Sequence, residues 1–293
     1  MPRRDPNERR VTAATEKAQK VAAARVAGTM ASSAAKAPNV SERGRTGAPV
    51  RRSFLLTSDG QPSPLSSLIR SKTGSRGGRN GARTRLALLL TLLWVCAKPT
   101  YGQDGTATYR THRPSSQLAE LIGFEHTGKS SSALRASSEA VDRALHDLQG
   151  RGYLQISSGG AGQRREVVLL REDLTGSGYS VPSGGADSYI RVPEHLWRTG
   201  TLSELNAPGI AMLLVALELT KTAQQALILT ESFVKERYGL SNSTRRRGLE
   251  ELVSLGVLDC TQRRERADGE DGKIRSLNVY TMNENYLPRP RAT

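Results

Sequence analysis

Residues 234–258 read VKERYGLSNSTRRRGLEELVSLGVL, and almost every boundary in that stretch is marked. Gly239 stops a short helix that begins near Thr230 and reads TESFVKERY. Ser241 has the chemistry of a cap for the next helix. Over 242–255, Gly248, Leu249, Leu252 and Leu255 recur at helical spacing and make one inner face. Gly256 ends the run, and Val257 and Leu258 open a strand. Working outward, 257–264 and 274–282 are candidate strands around a tip at 265–273. Upstream, 206–219 (NAPGIAMLLVALEL) is an apolar helix with Pro208 suited to its first turn.

The first half of the chain repeats this order. Residues 138–154, SEAVDRALHDLQGRGYL, lie over 242–258, NSTRRRGLEELVSLGVL, at a constant offset of 104. Leu145 meets Leu249, Leu148 meets Leu252, and Gly152 meets Gly256. LAELIGF, ending at Phe124, parallels VKERYGL, ending at Leu240, at an offset of 116. The first unit therefore carries about 12 extra residues, placed at 125–136. Around these, 83–97 is expected as a core helix, 115–123 as a short capped helix, 138–149 as the longer helix, and 153–157 and 164–170 as a hairpin.

The common pattern is helix, short helix, turn, longer helix, Gly, strand, loop, strand. It resembles the winged helix-turn-helix superfamily in two tandem copies. The fit covers roughly 83–170 and 189–283, closely in the second unit and with the insertion in the first. A tandem pair is also similar to plasmid replication initiators and to chromosome-segregation accessory proteins, and the residues do not choose between them. The resemblance implies that the longer helix enters the major groove while the short one crosses the backbone. The polar start of the second longer helix is then the main reader: Ser241, Asn242, Ser243, Thr244, Arg245, Arg246 and Arg247. Successive residues turn by about 100°, so the three arginines cannot all face one way. One is expected at bases and another at phosphate. In the first unit the outward set is Ser138, Glu139, Asp142, Arg143 and His146. Its two acids would repel phosphate, so this unit is expected to be structural, to dimerise, or to use Arg135 and Lys129 in the insertion instead, with Arg143 as its outward cation. Arg164 and Arg165 flank the first wing tip. Arg263, Arg264, Arg266, Lys273 and Arg275 flank the second, whose own tip, DGED at 268–271, is acidic.

The 293 residues carry 43 basic and 28 acidic side chains, a formal charge of +15. Residues 1–85 hold 18 basic and 5 acidic residues, so most of the excess lies there. That segment contains one aromatic, Phe54, and is expected to be a disordered basic arm, with a transient helix near 16–26. A solubilising tail and a wrongly placed start are the rival readings. The expected organisation is an arm at 1–82, a first domain at 83–175, a linker at 176–188, a second domain at 189–285 and a tail at 286–293. The fold class is mostly α with small β-hairpins.

Cys96 and Cys260 stand far apart without metal-ligand neighbours and are expected as buried free thiols. The four histidines show no metal spacing, and neither a phosphate-binding loop nor a serine-nucleophile elbow occurs. Trp94 and Trp197 are expected in the core. Residues 86–97, LALLLTLLWVCA, follow a basic flank as a signal core would, but lie far from the first residue and are too short to span a bilayer. Arg outnumbers Lys by 34 to 9, the bias of a GC-rich bacterial genome.

The expectation is a non-enzymatic, cofactor-free protein of the bacterial cytoplasm, associated with the nucleoid. It would bind specific double-stranded DNA as a transcription regulator or replication initiator. A homodimer is a further option, and no membrane is expected as a partner. The rivals are a winged-helix scaffold for protein contacts and an exported protein.

Overall fold

A computed structural model describes residues 47–287, apart from 59, 71–78, 97, 103–104, 125–129, 158–164, 223 and 267–273. Helices dominate, and the strands form small antiparallel sheets. An N-terminal strap comes first: β1 (Gly47–Arg51), α1 (Arg52–Leu55) and α2 (Pro64–Ile69). The first unit comes next, with α3 (Arg79–Val95), a two-rung hairpin of β2 (Thr100–Tyr101) and β3 (Ala107–Thr108), then β4 (Arg110–Thr111), α4 (Ser115–Leu121), α5 (Ser131–Gln149), β5 (Leu154–Ser157) and β6 (Glu166–Leu169). β7 (Tyr189–Pro193), α6 (His195–Arg198) and α7 (Thr201–Glu204) lead to the second unit. That unit holds α8 (Ala207–Leu219), α9 (Glu231–Tyr238), α10 (Asn242–Ser254), β8 (Leu258–Arg266) and β9 (Ile274–Met282).

The two units share a sheet order. In the first, β6 lies between β4 and β5. In the second, β9 pairs with β8 along nine rungs, and its other edge is bridged by a single residue, Leu227 opposite Tyr280. Leu227 and Tyr280 exchange both backbone hydrogen bonds, at 2.8 and 2.9 Å. Leu227 thus occupies in the second unit the position β4 occupies in the first. The arrangement arises from burial, since each hairpin must lay one face on the adjacent helices.

The two halves expected as separate domains share one core. One apolar cluster runs from the strap through α3 and α8 to the second hairpin. α3 and α8 are apolar nearly all round and are buried against each other and against the longer helix of each unit. α3 begins at Arg79, four residues earlier than expected, and ends at Val95. The two tryptophans stack with ring centroids 4.7 Å apart, and Trp197 Nε1 donates to Thr91 Oγ1 at 2.9 Å. Arg83 of α3 donates to the carbonyls of Ile122, Ser203 and Leu205, so one side chain ties the first unit to the segment that leads into the second. Burial pushes its pKa down, and the Glu251 carboxylate only partly offsets that.

The arm expected over 1–82 is corrected over 47–69, where the described residues form a strand and two helices and about half of them are buried; residues 1–46, with the expected transient helix, lie outside the described ones. β1 pairs antiparallel with β7, from Gly47 opposite Pro193 to Arg51 opposite Tyr189. Phe54, Leu55, Leu65 and Leu68 enter the core. The strap touches both units. Tyr153 Oη donates to the Pro64 carbonyl at 3.0 Å, while Ser63 Oγ donates to the Tyr238 carbonyl at 2.7 Å.

The expected linker at 176–188 is also corrected. Tyr179 is buried, and Gly178 bridges Leu170. Arg51, itself fully buried, fastens the segment. Its Nη1 meets Glu172 Oε2 at 2.8 Å, its Nε meets Asp187 Oδ1 at 2.7 Å, and its Nη2 donates to the Ser180 carbonyl at 2.6 Å. A desolvated guanidinium needs partners on every edge, and the segment supplies them. At the C-terminal end, Tyr286 and Leu287 pack on the core, which corrects the first two residues of the tail expected at 286–293; the others lie outside the described residues.

Candidate nucleic-acid interface

The second unit's longer helix is positioned from three sides. Thr230 caps α9 by accepting from the Phe233 amide, and Gly239, in the left-handed region at φ 67°, ends it. The strap receives the exposed carbonyls at this end of α9. The Thr57 amide donates to the Arg237 carbonyl at 2.9 Å, and the Ser63 hydroxyl takes the Tyr238 carbonyl. Ser241 then caps α10 by accepting from the Thr244 amide at 3.2 Å. On the inner side, α10 crosses α8 at Gly248 with no room for a side chain, since an added Cβ would fall 2.5 Å from Met212 Cγ. Glu251 of α10 accepts from the Asn206 amide at 3.0 Å, which satisfies an orphan donor at the start of α8.

This seating decides which residues face outward. Gly248, Leu249 and Leu252 are buried. Asn242, Ser243, Arg246, Arg247 and Glu250 are exposed and share one stripe of the helix. Arg246 Nε stands 3.8 Å from Glu250 Oε1, a loose pair with both side chains about two-thirds exposed or more, at 71 and 68 %. Such a pair holds neither group firmly. Arg247 is exposed and makes no ion pair with any described residue.

Arg245 departs from the expectation. It points back to the body, where Nη1 donates to the Leu229 carbonyl at 2.9 Å, and its other edge holds Asn242. Its inward direction is set by the helical angle, since it lies about 100° from Arg246 on the side away from solvent. It therefore supports the outward stripe without belonging to it. Ser241 and Thr244 are cap and helix-start groups whose hydroxyls bond each other at 2.9 Å.

Neither family models nor curated proteins match this chain.

In the first unit, α5 begins at Ser131 with Ser130 as its cap, two turns before the expected start at 138. The insertion thus becomes helix over its last residues, and Lys129 lies outside the described ones. Its outward face is largely neutralised. Arg135 pairs with Glu139 at 2.9 Å on the surface. Asp142 does not face phosphate as a bare charge, because it takes Arg165 Nη1 at 2.6 Å and the Ser115 hydroxyl. Burial alone would raise the Asp142 pKa, but the bonds from Ser115 and Arg165 outweigh it and hold the carboxyl below its usual range. Arg165 is thereby withdrawn from the set of free cations, while Arg143 remains exposed.

The second hairpin is a long arm. Its first rungs bury Leu258, Tyr280 and Met282, whereas Thr261, Gln262, Arg263 and Arg264 are all exposed, so both faces of that part of β8 meet solvent. Arg263 and Arg264 lie opposite Leu277 and Ser276. Lys273, Arg164 and the acidic tip at 268–271 lie outside the described residues, and nothing is described of the side chains of Arg266 and Arg275. Among the described residues, no three His, Cys, Asp or Glu side chains gather as a metal site, and no helix is long and apolar enough to cross a membrane.

Proposed function

We propose that this chain binds double-stranded DNA through two winged helix-turn-helix units and that α10 is the main reading helix. One observation carries the proposal. The order helix, strand position, helix, helix, hairpin occurs twice with the same sheet pairing, and the second occurrence turns Asn242, Arg246 and Arg247 to solvent on one stripe. A helix presented this way fits the major groove, with its first turn toward the base edges. Arg263 and Arg264 on the long hairpin supply backbone contacts beside it. The first unit reads less than α10, because Arg135 and Arg165 are paired with its own acids, which leaves Arg143 as its exposed cation for a backbone contact. The biological role is that of a transcription regulator or replication initiator in the cytoplasm, acting at the nucleoid.

Fluorescence anisotropy on a labelled duplex, over a range of salt, tests this reading. Affinity should fall steeply as salt rises, because bound cations displace counterions from phosphate. The double variant Arg246→Ala, Arg247→Ala should weaken binding by about 1–3 kcal/mol for an arginine at a base and lower the salt slope by about 1 for one at phosphate. Unchanged affinity and slope in that variant would remove α10 as the reader. Absence of salt-dependent binding to any duplex would leave a protein-contact scaffold as the function.

A further inference from the structure

We infer that the start of α10 is built to recognise guanine, because its long outward side chains, Asn242, Arg246 and Arg247, present hydrogen-bond donors. The inference rests on the DNA-binding reading and goes beyond it by naming the base. The deciding contact joins Arg245 to Asn242. Arg245 Nε and Nη2 both donate to Asn242 Oδ1, at 3.1 and 2.8 Å. A guanidinium has donors and no acceptor, so the amide oxygen must be the atom that faces it. Arg245 is anchored in turn by the bond from its Nη1 to the Leu229 carbonyl at 2.9 Å. Both lone pairs of Oδ1 are thereby taken, and the Nδ2 amino group is what Asn242 offers to a partner. Arg245 is a positioning residue in this scheme.

The nearby hydroxyls bond one another close to the backbone. Ser241 Oγ receives the Thr244 amide and lies 3.0 Å from Ser243 Oγ and 2.9 Å from Thr244 Oγ1. Beyond those short hydroxyls, the first two turns of the stripe present the Asn242 amino group and the guanidinium groups of Arg246 and Arg247. In the major groove guanine shows two adjacent acceptors, O6 and N7. Adenine shows an acceptor beside a donor, and asparagine reads it by using its oxygen and nitrogen together. Here the oxygen is committed, so that pairing is denied. Thymine offers one acceptor and a methyl group, a poorer match. Glu250, the carboxylate on the same stripe, sits two turns farther along and suits the cytosine amino group, which again selects a G·C pair.

Selection of binding sites by the full chain, from duplexes with a randomised core, tests the inference. The selected sites should carry guanines on one strand. Asn242→Ala, an exposed change, should flatten the preference at one position, by about fivefold to a hundredfold. Arg245→Met frees Oδ1 and should admit adenine at that same position. The inference is overturned if adenine already dominates the position that Asn242→Ala flattens, or if that variant selects the same sites as the unaltered chain. Salt-dependent binding without any sequence enrichment would overturn this inference alone. Failure to bind any duplex would overturn the DNA-binding reading and this one together.

Discussion

Replacing Gly248 by alanine sets two physical effects against each other. In an exposed helix the change stabilises by about 1 kcal/mol, because glycine is a poor helix former. At this position α10 crosses α8 backbone to backbone. An added Cβ would sit inside the contact distance of the Pro208 carbonyl oxygen, 2.8 Å from Pro208 C and 2.5 Å from Met212 Cγ. Met212 can turn aside, but the Pro208 backbone cannot. Ordinary carbon–carbon contact lies near 3.5–4.0 Å, so the helices must part by about 1 Å. A gap of that size forfeits about a quarter to a half of the dispersion energy along the seam, and overpacking of this kind costs about 1–3 kcal/mol. The movement would also pull Glu251 from the Asn206 amide. The steric cost and the lost Glu251 bond, about 1 kcal/mol, together exceed the gain in propensity, and Gly248→Ala should lose about 1–3 kcal/mol net. For a chain of this size that lowers Tm by roughly 2–12 °C. Differential scanning calorimetry reads it directly. An unchanged or higher Tm would show that the α8–α10 crossing is not tight and would refute the account of how α10 is seated.

Arg51→Met should be far more damaging than its similar volume suggests. It leaves the buried Glu172 without its partner, a change that costs about 3–5 kcal/mol. Limited proteolysis should then open the chain between 176 and 188, and resistance there equal to the unaltered protein would count against the role of Arg51. Asp187 gives a pH signature. The bond from Arg51 holds its carboxyl below the usual range. A depressed folded pKa gives stability that is present above the unfolded value near 4 and lost as pH falls through the folded one. Melting temperatures should drop on acidification in that window, and Asp187→Asn should lower Tm at neutral pH while flattening the acid limb. Parallel curves for the two proteins would deny Asp187 that part.

The second unit was legible because its punctuation is local. A serine cap, a left-handed glycine and leucines at helical spacing all act within a turn or two of their own position, and α9, α10 and the strands after them start within a residue or two of where those signals put them. What escaped was long-range. β1 is five residues, GAPVR, and its partner lies some 140 residues away in β7. No periodicity in so short and mixed a segment announces burial, and averaging composition over 1–85 hid it among truly polar neighbours. The start of α5 escaped for a different reason. Residues 130–132 and 137–138 are all serine, so several caps were available, and the choice was made by packing. The inward turn of Arg245 could have been read from the helical angle once Leu249 and Leu252 were placed inside. Its carbonyl partner Leu229 could not, because a one-residue strand such as Leu227 leaves no pattern.

The strap changes what the proposed DNA contact implies. It caps the turn before α10 through Thr57 and Ser63, and it also holds Arg151 and Tyr153 of the first unit through the Ser67 and Pro64 carbonyls. Arg83 and the stacked tryptophans add further ties across the same boundary. Two winged units on a loose linker would each find a groove at their own spacing, and affinity would tolerate changes in the distance between half-sites. Two units sharing one core cannot do so. The bases contacted by α10 and the backbone contacted by the first unit must then keep one fixed separation, so inserting half a helical turn of DNA between them should weaken binding to that of α10 alone. Equal affinity for the native and the lengthened site, measured by anisotropy at one salt concentration, would mean that only one unit touches DNA.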